Sequence, residues 1–168
     1  MRNTILLITA VVILGIFNFS IYQKESILSN GQRVLLKLTP ADPRSMMQGD
    51  YMRLRYEIEA AINKSDKNQL KEHHLAVIKI DDKNIGHFVR IFNNEQLADN
   101  EKLIKFRYKE GSFPTAKIKP DSFLFQEGLQ PLYQKAAYAI FHYNGTKDYL
   151  LQGMADANLS EINPSANE

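Results

Sequence analysis

The stretch from Thr4 to Tyr22 constrains this chain more than any other. Ile5 to Phe19 carries no charge, and only Thr9, Gly15 and Asn18 soften it. Roughly 19 residues at ~1.5 Å rise reach ~28 Å, close to the thickness of a bilayer core. Arg2 lies on one side, and Lys24 and Glu25 on the other. A cleaved signal peptide needs small residues at −3 and −1 of its cut. Ser20 suits −1, but Asn18 does not suit −3, and the run is long for such a segment. Residues 1–24 therefore read as a retained single-pass anchor and 25–31 as a polar linker. The flanking cations nearly balance, Arg2 and the α-amino group against Lys24 and Arg33. A short N-tail ahead of a long polar domain has the form of a signal anchor, which puts the domain on the outer face of an inner membrane.

The remainder has room for one domain. With 21 basic and 19 acidic residues the net charge is +2, too balanced for a nucleic-acid footprint. Cysteine is absent. This removes disulfides, thiol nucleophiles, thiolate metal ligands and lipid-modified cysteine. Core stability must come from apolar burial, to which eight tyrosines and nine phenylalanines contribute.

Period-two alternation dominates. Gln32–Thr39 reads as a half-buried strand with Val34, Leu36 and Leu38 on one face, although Leu35 breaks the polar face. Asp50–Ile58 places Met52, Leu54, Tyr56 and Ile58 inward, and Tyr51, Arg53, Arg55 and Glu57 outward. A one-residue slip would bury three charges, so this register is strongly set. The polar stretch from Asn63 to His74 suits one or two helical turns after Ser65 or Asp66 as N-cap. Leu75–Ile80 and Ile85–Phe92 form a hairpin across Asp81–Asn84. Lys102–Tyr108 is a strand with Ile104, Phe106 and Tyr108 inward, Thr115–Lys119 is short and extended, and Leu129–Lys135 is a short helix. Ala136–Tyr143 and Lys147–Met154 flank Asn144-Gly145-Thr146, a second hairpin. Without a strand–helix rhythm an antiparallel rather than a parallel sheet is expected. The expected fold is mainly β, α+β at most: an antiparallel sheet, curled or partly closed, over residues 32–157. The polar tail 158–168 is expected to fray.

Between the first two strands lies an elbow, Leu38 to Tyr56, with the densest backbone demands in the chain. Pro40 and Pro43 fix φ, Gly49 permits φ > 0, and Asp42 and Asp50 suit turns. Gly49-Asp50-Tyr51-Met52-Arg53-Leu54-Arg55-Tyr56 fits GDY-x-x-L-x-Y at every specified position. On that motif, with Asp42-Pro43-Arg44 upstream and Phe125-Gln126-Glu127-Gly128 downstream, the chain resembles the bacterial GDYXXLXY family. The resemblance extends through the last hairpin to Leu151-Gln152-Gly153-Met154. It implies a membrane-anchored accessory protein that accompanies a multi-pass membrane protein, and it carries no catalytic residues.

Asp42, Arg44, Asp50, Tyr51, Arg53 and Glu127 are the candidate binding residues. Each has a structural alternative: Asp42 and Asp50 as backbone caps, Arg44 as the partner of Glu127 or Asp50. Outward Tyr51 suits an interface, where exposed aromatics concentrate. The competing enzyme reading is a Ser–Lys hydrolase. Ser45-Met46 ahead of Gly49-Asp50 is similar to the nucleophile region of bacterial signal peptidases, with Lys102 or Lys105 as base. A base of this kind must be neutral, which burial can produce. The spacing to Gly49 is short, however, and Lys105 alternates with Ile104 and Phe106, which turns it to solvent. His73, His74, His87 and His142 lack metal-ligand spacing, and no phosphate loop is present, so neither a metal nor a cofactor is expected.

Overall fold

The computed structural model describes residues 2–39, 51–111 and 114–164. Helix α1 (Arg2–Asn30) is ~43 Å long at the α-helical rise. Among the described residues it is the one helix long and apolar enough to cross a membrane. Its large apolar side chains are exposed: Leu6 at 64 %, Phe17 at 63 % and Tyr22 at 71 %. The polar linker expected at 25–31 is instead helical as far as Asn30, because no glycine or proline interrupts it before Gly31. The helix stops at Gly31, whose N–H donates to the Ile27 carbonyl at 3.0 Å. A Cβ there would collide with that same carbonyl and lie 3.1 Å from the Tyr143 carbonyl oxygen.

The domain is built from antiparallel ladders, as the alternation predicts. Strand β1 (Gln32–Lys37) pairs with β8 (Tyr138–Asn144), and β8 pairs with β9 (Asp148–Ala155). A second sheet runs in the order β4-β3-β5-β6, from Gly86–Ile91, Leu75–Ile80, Glu101–Lys109 and Thr115–Ile118. The two sheets touch at a parallel bridge between Leu35 and Ile85, where the Leu35 N–H donates to the Asn84 carbonyl at 2.7 Å. Gly86 makes this approach possible, since a Cβ there would lie 2.9 Å from Leu36 Cδ2. On the far side β6 covers only the second half of β5. The first half faces the β8–β9 turn, and the Leu103 N–H donates to the Thr146 carbonyl at 2.7 Å. The result is a curled half-barrel filled by Val34, Leu36, Met52, Leu54, Tyr56, Ile78, Ile104, Phe106, Phe141 and Met154.

The motif strand is shorter than the alternation predicts. Strand β2 covers Tyr51–Arg53, Tyr56 makes only an isolated bridge to Leu38, and Ile58 opens helix α2 (Ile58–Ile62). Its faces are as expected: Met52, Leu54, Tyr56 and Ile58 are buried, and Arg53, Arg55 and Glu57 are exposed. Helix α2 has its own task at the edge of β6. Asn63 Oδ1 accepts from the Ala116 N–H at 2.6 Å, and Glu59 Oε1 from the Ile118 N–H at 2.9 Å. Two side chains thus satisfy a sheet edge that would otherwise invite foreign strands. Helix α3 (Lys67–Glu72) starts where expected, with the Asp66 side chain accepting from the Asn68 N–H at 3.0 Å.

Leu35 breaks the polar face because that face is also covered. With Ile140 and Ala155 it forms a second small core, against which Leu159 packs. The described part of the tail, 158–164, is accordingly pinned rather than frayed. Asp156 Oδ1 accepts from the N–H groups of Asn158 and Ser160, and the Ile162 N–H donates to the Met154 carbonyl at 2.9 Å. Leu159 and Ile162 supply the apolar anchors that the tail's polar average conceals.

Glu101 is the one buried charge among the described residues. Arg90 forks onto it, Nη1 to Oε1 at 2.6 Å and Nη2 to Oε2 at 3.1 Å, while Arg90 Nε reaches Glu95 Oε1 at 2.7 Å. The Ala98 N–H adds a bond to Glu101 at 3.1 Å. The guanidinium pulls the Glu101 carboxyl down to about 2. A depressed carboxyl pKa stabilises the fold fully above the unfolded value, and the effect fades as pH falls through the folded one. Glu101→Gln is therefore expected to melt below wild type at pH 5–7 and to converge with it as pH approaches 2. Coincident melts at neutral pH would refute the contribution.

Candidate functional site

The motif divides into inward anchors and an outward face. Leu54 is 3 % exposed, and its N–H donates to the Asp121 carbonyl at 2.9 Å. Tyr56 is buried against Phe141, with ring centroids 5.9 Å apart, and its hydroxyl donates to the Pro120 carbonyl at 2.7 Å. Burial pushes that phenol well above its ordinary pKa, so it remains a donor. The leucine and final tyrosine of the motif are thus structural. They clamp it to the segment Lys119–Ser122.

Opposite residues of an antiparallel ladder share a face. Strand β2 pairs with β7 (Ser122–Leu124), so Tyr51 stands opposite Leu124 and Arg53 opposite Ser122. Tyr51 is half-buried, Leu124 is 77 % exposed, and Arg53 is exposed. Beside them lies a groove of about 300 Å³ lined by Tyr51, Arg53, Arg55, Lys117, Asp121 and Ser122. Three cations face one carboxylate, and that carboxylate is already engaged by Lys119 Nζ at 2.6 Å. The lysine holds Asp121 below the usual carboxylate range. This face suits an acidic or hydrogen-bonding partner that also covers the Tyr51–Leu124 apolar edge.

Of the residues singled out from sequence, Tyr51 and Arg53 come together here. Glu127 is exposed in the turn before Gly128 and does not line the groove. Asp42, Arg44, Ser45 and Asp50 lie outside the described residues. Neither candidate lysine base is buried: Lys102 Nζ donates to the Gly145 carbonyl at 2.9 Å, and Lys105 is exposed. Among the described residues no three His, Asp or Glu side chains gather around a metal-sized site. His87 instead meets Asp81 at 3.0 Å.

Sequence reasoning omitted Leu124, Arg55 and Lys117 from the candidate set. Leu124 had a local signal. Phe123 and Phe125 both pack on Tyr133, at 5.3 and 5.0 Å between centroids, so period two turns the leucine between them outward. Lys117 had none, since only the curl of β6 carries it to the motif.

The division of labour is measurable by urea denaturation. Leu54→Ala is expected to cost ~2–5 kcal/mol of stability as a buried truncation. Tyr56→Phe should cost ~1–3 kcal/mol by leaving the Pro120 carbonyl unpaired. Arg53→Ala should remain within ~0.5 kcal/mol of wild type, as an exposed site does. A costly Arg53→Ala with a neutral Leu54→Ala would reverse the assigned faces.

Neither the curated proteins nor the solved structures compared with this chain match it. The family model for the GDYXXLXY protein matches residues 13–154, which takes in the second half of α1, the motif and the last hairpin up to Met154. The chain belongs to the GDYXXLXY family.

Proposed function

We propose that this protein is a single-pass accessory component of a bacterial inner membrane, with its domain on the outer face, where it docks a multi-pass membrane protein. The observation that carries the reading is the outward face of the motif. Half-buried Tyr51 and exposed Leu124 stand side by side as an apolar edge, and Arg53, Arg55 and Lys117 line the groove beside Tyr51. An apolar centre with an arginine-bearing rim is the composition of a protein interface. Tyr56 and Leu54 hold that face rigid, so little conformational entropy is lost on docking. Helix α1, exposed along its apolar length, supplies the anchor that keeps the face near other membrane proteins.

The test is affinity purification of the full-length protein from gently solubilised membranes, followed by mass spectrometry. Wild type is expected to retain a multi-pass membrane protein at near-stoichiometric yield. Tyr51→Ala and Arg53→Ala should lose it while still melting cooperatively. Raised salt should weaken capture, because exposed charge pairs are screened. A wild-type sample without such a partner would refute the accessory reading, and a partner retained by both variants would move the interface elsewhere.

A further inference from the structure

A second and larger cleft, of about 810 Å³, opens where α1 meets the domain. One wall is the end of α1 between Ser20 and Ile27, where the i, i+3, i+4 spacing brings Ser20, Gln23, Lys24 and Ile27 together. The opposite wall is Lys105, the segment Lys119–Asp121 and the β8–β9 turn with Lys147 and Asp148. The Tyr149 hydroxyl braces these pieces, accepting from the Lys105 N–H at 2.9 Å and donating to the Lys119 carbonyl at 3.1 Å. The helix end packs on the domain: Ser26 and Ile27 are half-buried, and only Gly31 separates α1 from β1.

Depth places the cleft. Residues 3–23 carry no charge, a reach of ~31 Å that matches the hydrocarbon core. Lys24 is the first charge beyond it, and Tyr22 beside it is the residue type that favours the headgroup level. The cleft therefore sits at the height of lipid phosphates. It holds four lysines, Lys24, Lys105, Lys119 and Lys147, against two carboxylates, Asp121 and Asp148. Lys119 is engaged by Asp121. Lys24, Lys105 and Lys147 form no ion pair among the described residues.

We propose that this cleft seats the headgroup of an anionic phospholipid. Lys24, Lys105 and Lys147 face the phosphodiester, and Asp148 is placed to accept hydrogen bonds from headgroup hydroxyls, as phosphatidylglycerol carries. The proposal rests on α1 being a membrane anchor. Bound lipid would join the helix exit to the domain and fix the height at which the motif face stands above the membrane.

The experiment begins with carbonate extraction of membranes holding the full-length protein. Release into the wash would refute the anchor and the lipid site together; retention leaves the lipid site to be decided on its own. The protein is then purified in mild nonionic detergent and mixed with phosphatidylglycerol, phosphatidylethanolamine or phosphatidylcholine. Retained lipid is counted by native mass spectrometry. Wild type is expected to keep phosphatidylglycerol over both zwitterionic lipids. Lys105→Gln/Lys147→Gln alters two exposed side chains that hold no ion pair and should weaken retention by roughly fivefold per lysine. Lys64→Gln/Lys67→Gln removes the same charge outside the cleft and should leave retention unchanged. Equal retention of the three lipids, or equal loss in both double variants, would overturn the proposal. Soluble glycerol phosphate stabilising the protein as strongly as the lipid would also overturn it, by making the site one for free phosphate.

Discussion

The buried phenol of Tyr56 is the constraint on which the rest depends. Its ring packs on Phe141 of β8, its backbone bridges to Leu38 beyond β1, and its hydroxyl reaches the Pro120 carbonyl. One residue thereby joins the first strand, the last hairpin and the segment ahead of β7. A donor removed from water at this depth must keep its partner, because an orphaned buried polar group costs more than the bond contributes. The position of the 119–122 segment is thus bound to the position of the motif.

That segment connects the two surfaces of interest. The Lys119 carbonyl accepts from Tyr149, the Pro120 carbonyl from Tyr56 and the Asp121 carbonyl from the Leu54 N–H. Its backbone is held from three sides, while the Asp121 side chain lines both the motif groove and the juxtamembrane cleft. The motif groove and the cleft beside α1 are therefore built on one shared element.

Edge management explains how so short a chain holds a curled sheet without full closure. β6 receives side-chain bonds from Asn63 and Glu59 in place of a neighbouring strand. The first half of β5 receives the Tyr149 hydroxyl and the Thr146 carbonyl. Leu35, Ile140 and Ala155 carry a second apolar patch on the outside of the sheet, and the tail through Leu159 covers it. Each device uses a residue whose type is unremarkable in sequence and whose purpose lies in a distant strand.

The apolar run, the antiparallel hairpins, the inward and outward faces of the motif and the Asp66 cap were legible in the sequence. Each depends on residues within a few positions of one another, where helical rise, strand period or turn chemistry decides the outcome. Helix α2 and the anchored tail were not, because long-range contacts outweighed local polarity: Asn63 with Ala116, Leu159 against Leu35. The extension of α1 to Asn30 was missed because the polar residues of 25–30 were weighed above the absence of a helix breaker before Gly31. The candidate site divides along the same line. Tyr51 and Arg53 were visible from the alternation of one strand. The placing of Lys117 and Asp121 beside the motif, and of Lys24, Lys105 and Lys147 around one cleft, comes about only because the fold brings residues far apart in the chain to one place. Side-chain direction is local, whereas charge becomes a binding surface only when the fold concentrates it.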